Sequence, residues 1–218
     1  MQVALHSIKN IGKHGKIGLW LIRESVEELL KIKSFSKEDV DQIHSFSNPS
    51  RRKEWLVSRI LIDELIDMNN TRIYYDEYNK PFLKIPDRHI SISHSHELQV
   101  VMLDRKPTGV DIEYIQPKID SIKSKFMSVA ELRMLGDENI VEKLTLCWCV
   151  KESLYKYYGK KQLVFKEHLS IYPFTYSIEG KVTGGISTNE LNEQHELHYE
   201  TISIGDNRFM LTYIVNQV

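Results

Sequence analysis

The sequence predicts an α+β protein with two halves that divide near Pro107, expected as domains 1–106 and 107–218. Helix-like and strand-like segments occur in both halves, and no low-complexity tract or Pro/Gly/Ser linker separates them. Of the 218 residues, 41% are hydrophobic and 27% are charged, which suits a globular chain that buries a substantial core.

The first half contains clear helix starts followed by short strands. A strand is predicted over residues 16–23. Ser25 with Glu28 has capping-box spacing, and Ser36 with Asp39 repeats it. Apolar residues at helical spacing predict a long helix over residues 50–68. Short β-type runs follow at 73–75, 82–85, 90–93, 98–103 and 110–114.

The second half has a similar order of elements. Helices are predicted over 129–135, ending at Gly136, and over 141–158, ending at Gly159. Alternating apolar and polar residues predict strands at 168–172, 176–182, 198–204 and 209–215. Residues 205–207 are typical of a hairpin turn between the last two strands.

Charge and cysteine content limit the function classes. With 29 Lys+Arg against 30 Asp+Glu, no overall field favours nucleic acid or a membrane as partner. Cys147 and Cys149 are two apart on a predicted helix and cannot pair, which suits a reducing compartment. The first 20 residues lack the apolar core of a signal peptide, so we expect a cytoplasmic protein.

A run of alternating residues at the start of the second half offers two carboxylates. In Gly109-Val110-Asp111-Ile112-Glu113, both acids project to one face of the predicted strand and could converge on a hard cation. An exposed strand face is the alternative explanation, since alternating charge is common there.

A second candidate segment lies on the last predicted helix. Trp148, Glu152 and Lys156 are each four residues apart and form one stripe. The acid and the lysine could form an exposed ion pair of about 0.3 to 0.5 kcal/mol, with the tryptophan in the core. A carboxylate one turn from a tryptophan is partly desolvated, however, and would need a cation.

Hydroxyl, imidazole and basic side chains suggest phosphate binding in the first half. The strand-like run ends in Ser91-Ile92-Ser93-His94-Ser95-His96, and such groups suit phosphate oxygens. A zinc site at His89, His94 and His96 is an alternative. The basic residues Arg51, Arg52, Lys53, Arg59 and Lys80 alone favour a role in solubility.

Taken in order, these segments resemble the 4′-phosphopantetheinyl transferases of the larger, single-chain type that activates surfactin synthetase. The resemblance covers about residues 51–161. The matching motifs are I-S-H-S (Ile92 to Ser95), G-x-D-x-E (Gly109 to Glu113), F-x-S-x-x-E (Phe126 to Glu131), W-x-x-K-E-x-x-x-K (Trp148 to Lys156) and G-K-P, present as Asn79-Lys80-Pro81. Asparagine tolerates the left-handed conformation that the usual glycine would adopt.

The resemblance implies two pseudo-symmetric α+β lobes in a monomer, with coenzyme A in the cleft between them. It implies a magnesium site at Asp111, Glu113 and Glu152, with Glu152 as the base. Lys156 would stabilise charge growing on the diphosphate. The residues expected to grip the nucleotide and its 3′-phosphate are Arg52, Arg59, Lys80, Ser93 and His94.

The implied acceptor is a serine of an acyl or peptidyl carrier protein. Carriers are acidic around that serine, so Lys118, Lys123 and Lys125, beside the apolar Phe126 and Met127, are the expected docking surface. An ordinary lysine-rich loop explains the same residues. Two other functions are open: a metal-dependent hydrolase of nucleotide diphosphates, and a module that binds carriers or coenzyme A without turnover.

Overall fold

The computed structural model describes residues 5–160 and 163–216. Helices and antiparallel strands are mixed in both halves, which confirms the predicted α+β class. None of the helices in these two ranges combines the length and the apolar character needed to cross a membrane.

The first half forms a four-stranded sheet covered by one long helix. Its elements are β1 (Leu5–Ile11), β2 (Gly15–Leu21), α1 (Val26–Leu29), α2 (Lys37–Ser45), α3 (Pro49–Ile66), β3 (Tyr74–Tyr75), β4 (Pro81–Phe82), β5 (His89–Ser95) and β6 (Leu98–Asp104). The sheet order is β1-β2-β6-β5, and β3 pairs with β4 in a separate hairpin. Helix α3 packs on β2 and β6 and buries Leu56, Leu61 and Leu65.

Both predicted capping boxes are confirmed. The Ser25 hydroxyl accepts the Glu28 N–H, and the Glu28 carboxylate accepts the Ser25 N–H. Ser36 and Asp39 make the same reciprocal pair at the start of α2. These caps satisfy backbone donors that would otherwise lack partners at a helix start.

The second half forms a five-stranded sheet, also covered by a long helix. Its elements are β7 (Val110–Tyr114), a 3-10 turn (Pro117–Ile122), α4 (Lys123–Phe126), α5 (Val129–Leu135), α6 (Ile140–Tyr158), α7 (Phe165–His168), β8 (Leu169–Ile171), β9 (Glu179–Ser187), β10 (Asn192–Ile204) and β11 (Asn207–Ile214). The sheet order is β7-β11-β10-β9-β8. Helix α6 packs on β7 and β11 and ends, as predicted, at Gly159, whose φ is +71°.

Strand β9 differs most from the sequence prediction, because it occupies residues 179–187 rather than 176–182. Gly184 and Gly185 interrupt the apolar alternation that identifies a strand in the sequence. A side chain at Gly184 would lie 2.8 Å from Leu154 on α6, so the glycine allows the helix to approach the sheet. The run 168–172 was also predicted too long, because His168 ends α7.

The two sheets share an apolar cluster. Val100 and Met102 of β6 lie in it with Ile112 of β7 and Leu211 of β11. All four side chains are buried. The halves therefore have a common core in addition to the separate core beneath each long helix.

Candidate active site

Side chains on one face of the edge strand β5 contact the edge strand β7 of the other sheet. Three serines alternate along β5 and contact β7: Ser91, Ser93 and Ser95. The first accepts the Val110 N–H at 3.0 Å. The second donates to Asp111 Oδ1 at 2.6 Å, and the third donates to Glu113 Oε1 at 2.9 Å. We call these residues the serine ladder; it holds both carboxylates of the G-x-D-x-E motif in place.

The glycine of that motif lets β7 lie directly against α6. A Cβ added at Gly109 would collide with the carbonyl oxygen of Ser153 on the helix. This close approach brings Asp111 next to Lys156, which lies in the last turn of α6.

Asp111 is nearly buried and is bound by a cation on one oxygen only. Lys156 Nζ donates to Asp111 Oδ1 at 2.7 Å and to the Val110 carbonyl at 3.1 Å. The other oxygen, Oδ2, is buried and has no hydrogen-bond partner among the described residues. A buried carboxylate oxygen without a partner is costly, so this atom is suited to a ligand that supplies positive charge or a donor.

Glu152 faces the same carboxylates from α6. Burial raises the pKa of Glu152 to about 7; the negative charges of Asp111 and Glu113 add to the rise, and Lys156 opposes it. The pKa of Glu113 is also raised, first by burial and then by Asp111 despite the hydrogen bond from Ser95. The charge of Asp111 therefore opposes the ionisation of both Glu113 and Glu152.

These residues fit a magnesium ion by their chemistry, although they do not form a ready-made cage. Across residues 5–160 and 163–216, no three His, Cys, Asp or Glu side chains are arranged to hold a metal. That finding gives no support to zinc binding by His89, His94 and His96. Magnesium commonly uses one or two protein carboxylates and completes its shell with water and phosphate oxygens, which suits the unpartnered Asp111 Oδ2.

A cavity of about 270 Å³ in the first half is completed by Lys156 of the second half. Lys156 and Ser93 line it together with His94, Arg51 and Glu54. The Nε2 atom of His94 lies 3.3 Å from the Glu54 carboxylate. Burial lowers the pKa of His94, and Glu54 partly offsets that effect.

Lys80 lies beside this cavity and joins the two halves. Its Nζ donates to the Tyr157 carbonyl at 2.7 Å, and its side chain runs over Gly159 at the end of α6. Burial lowers the pKa of Lys80. Lys80 lines two neighbouring cavities, of about 190 and 390 Å³. The preceding Asn79 has φ +65°, as the motif requires.

Residues 107–213 match the family model of the 4′-phosphopantetheinyl transferase superfamily. This region of the chain belongs to the superfamily. It is 34% identical over 124 residues to a 4′-phosphopantetheinyl transferase of Bacillus subtilis, covering 55% of this chain and 52% of the relative. It is 28% identical over 182 residues to 4′-phosphopantetheinyl transferase ffp of Bacillus subtilis, covering 73% and 78%. A third relative, 4′-phosphopantetheinyl transferase gsp of Aneurinibacillus migulanus, is 33% identical over 112 residues, covering 49% and 46%.

The family predicted from the ordered motifs is therefore confirmed. The matched regions span about half the length of the first and third relatives. The matched family model begins at residue 107, next to the predicted division of the chain, and contains all three acids.

In this phosphopantetheinyl transferase superfamily member, neither Arg52 nor Arg59 is among the residues that line the His94 cavity. Arg52 Nε donates to the Phe46 carbonyl at 2.7 Å. The Arg59 guanidinium stacks 3.3 Å from the centre of the Trp55 ring and lines a pocket of about 710 Å³. That pocket adjoins the His94 cavity, because Arg51, Trp55 and Tyr75 line both. Arg51, which sequence reasoning placed only among the basic residues of the helix, lines the His94 cavity instead.

The expected docking surface needs one correction. Lys118 and Lys125 are exposed, but Phe126 is 0% exposed and Met127 only 3%, so the prediction of exposed apolar side chains here is wrong. Phe126 packs its ring edge on Trp148 at 5.2 Å between centroids. The exposed apolar side chain of this region is Val129, at 66%.

Proposed function

We propose that the protein is a magnesium-dependent 4′-phosphopantetheinyl transferase. It would move the phosphopantetheine arm of coenzyme A to a serine of an acyl or peptidyl carrier protein. The observation that carries the proposal is the contact of Lys156 with Asp111 beside Glu152, because these residues occupy two motifs of the superfamily and form one site.

Glu152 is the proposed general base. A carboxyl group with a pKa of about 7 accepts a proton far more readily near neutral pH than an ordinary glutamate does. Glu152 takes the proton of the carrier serine, directly or through water. The serine oxygen bonds to the phosphorus that carries pantetheine, and the bond from that phosphorus to the bridging oxygen breaks. The leaving group is 3′,5′-adenosine bisphosphate.

Lys156 and the three acids have different electrostatic roles in the proposed reaction. Lys156 lines the cavity, and its Nζ can donate to the diphosphate oxygens as negative charge develops on them. Asp111, Glu113 and Glu152 would hold the magnesium ion, which supplies electrostatic stabilisation of the diphosphate when bound. Ser93 acts by positioning Asp111, since its hydroxyl is already donated to that carboxylate.

The nucleotide of coenzyme A is proposed to occupy the His94 cavity. Support comes from the phosphate-binding side chains that line it, His94 and Arg51, and from Lys80 beside it. The halves 1–106 and 107–218 would then act as the two pseudo-symmetric lobes of a monomer. The contributions of Arg52 and Arg59 stay predictions; Arg59 contacts Ser58 and Trp55, which line this cavity, whereas Arg52 donates to the Phe46 carbonyl.

Carrier proteins would dock beside α4 and α5. The exposed lysines Lys118 and Lys125 would attract an acidic carrier, and Val129 would supply apolar contact area. Lys123 is tied to Asp120 at 2.8 Å, so it contributes less free charge. The buried thiols Cys147 and Cys149 are unpaired, which agrees with the cytoplasmic location proposed for such an enzyme.

The test measures the mass of apo carrier proteins after incubation with the protein, coenzyme A and magnesium. The expected result is the addition of one phosphopantetheine group, with loss of activity in Glu152→Gln. Consumption of coenzyme A without any change in carrier mass would instead indicate a hydrolase. Tight binding of carrier or coenzyme A with no turnover would indicate a binding module and refute the proposal.

A further inference from the structure

The His94 cavity contains a carboxylate in the place where a phosphate is expected. Glu54 on α3 has a side chain that is only 14% exposed, and its Oε2 lies 3.3 Å from both Arg51 Nη1 and His94 Nε2. These are the two groups of the cavity, besides Lys156, that suit a phosphate dianion. Glu54 therefore already occupies the donors that a phosphate would use.

A hydrogen bond to the sheet holds the backbone of Glu54 in position. Its backbone carbonyl accepts a hydrogen bond of 3.0 Å from Gln99 Nε2 on β6, and Gln99 is 1% exposed. The helix that carries Glu54 is tied by this contact to the central part of the sheet. The carboxylate can change rotamer, but its backbone cannot move away from the cavity without loss of a buried hydrogen bond.

Glu54 and a bound phosphate oppose each other by charge. Two negative groups that share one guanidinium and one imidazole repel each other in a partly desolvated cavity, where charge interactions are stronger than in water. A donor with a terminal phosphate must displace Glu54 from Arg51 and His94, whereas a donor without that phosphate leaves the pair undisturbed.

We propose that Glu54 is a specificity residue that competes with the 3′-phosphate of coenzyme A for Arg51 and His94. The inference rests on the proposed function, because it takes coenzyme A as the donor. Its consequence is a weaker preference for coenzyme A over dephospho-coenzyme A than Arg51 and His94 alone would give. Removal of the Glu54 charge should strengthen that preference.

The experiment measures the dissociation constants of coenzyme A and dephospho-coenzyme A by calorimetry. The proteins are wild type, Glu54→Gln and, as a matched control, Glu64→Gln, which removes the same charge from an exposed position of the same helix. We expect Glu54→Gln to bind coenzyme A about tenfold more tightly, with less than about a twofold change for dephospho-coenzyme A. The control should change neither. Glu54→Asp withdraws the carboxylate by one methylene and should give an intermediate ratio, which serves if the glutamine variant folds poorly.

The outcomes separate this inference from the proposed function. If wild type binds neither ligand, both the proposed function and the competition are refuted. If wild type binds coenzyme A and the ratio of the two constants is unchanged in Glu54→Gln and Glu54→Asp, only the competition is refuted. Weaker binding of coenzyme A by Glu54→Gln would also overturn it, because Glu54 would then be orienting Arg51 and His94 for the phosphate.

Discussion

Replacement of Glu152 by glutamine should stabilise the protein and inactivate it at the same time. Glu152 lies beside Asp111 and Glu113, and its pKa is raised from 4.5 to about 7 by burial and by those acids. Each pKa unit corresponds to about 1.4 kcal/mol, so the ionised glutamate costs the folded state up to about 3 kcal/mol. Glutamine keeps the shape of the side chain and removes that cost.

The expected difference in stability between wild type and Glu152→Gln depends on pH. Below the unfolded-state pKa, Glu152 is protonated in both states and wild type and variant should be equally stable. Between that pKa and about 7, the unfolded chain ionises first, so the stability of wild type falls relative to Glu152→Gln. Above about pH 7 the full difference should persist.

Urea unfolding in the presence of a chelator, at several pH values from 4.5 to 8.5, measures the difference between the two proteins. Glu138→Gln, an exposed position in the same half, is the control and should show no pH-dependent gain. In the carrier assay Glu152→Gln should lose about 10²- to 10⁴-fold in rate. Parallel stability profiles for wild type and Glu152→Gln would refute the electrostatic coupling, and near-normal carrier modification would refute the base.

Three further substitutions test other contacts. Asp111→Asn should abolish carrier modification while cooperative unfolding is retained; loss of the fold would assign Asp111 to structure rather than to the site. Lys151→Met should lower the free energy of unfolding in urea by about 3 kcal/mol, because the fully buried Lys151 neutralises Glu131 at 2.9 Å. Adding Glu131→Gln to this variant should recover part of the lost stability. If it recovers none, the Lys151–Glu131 pair is not what stabilises the fold. Gly159→Ala should lower the free energy of unfolding by about 1 kcal/mol or more, because the φ of Gly159 is +71° and the new methyl group collides with Lys80. In a Lys80→Ala background the collision should disappear while the backbone strain stays. An unchanged free energy of unfolding in Gly159→Ala would contradict both the strain and the collision.

Local signals in the sequence were sufficient for the starts of α1 and α2 and for the end of α6. The capping boxes at Ser25 and Ser36 and the glycine after α6 depend on contacts within a few residues, so the sequence displays them directly. The contact of Lys156 with Asp111 agrees with the proximity implied by the resemblance.

Long-range packing explains what the sequence could not predict. Phe126 follows two lysines and reads as exposed, yet Trp148 of α6 covers it, and nothing near Phe126 in the sequence indicates that contact. The Arg51–Glu54 pair has helical spacing that could have been noticed, but its nearness to His94 depends on how α3 packs beside β5. The predicted bounds of β9 are wrong because Gly184 and Gly185 break the apolar alternation of the strand. A side chain at Gly184 would collide with Leu154 of α6, and that long-range contact cannot be seen in the sequence.

Because of the serine ladder, the proposed catalytic site depends on both halves of the chain. All three acids and the lysine lie after residue 107, so the second half taken alone contains the reactive groups. Yet the hydroxyls that orient Asp111 and Glu113 come from β5, and the apolar cluster beneath β7 is completed by Val100 and Met102. Expressed as two separate polypeptides, the halves should therefore recover an ordered acid site only when they reassociate, so activity from a split protein would report directly on the meeting of β5 with β7.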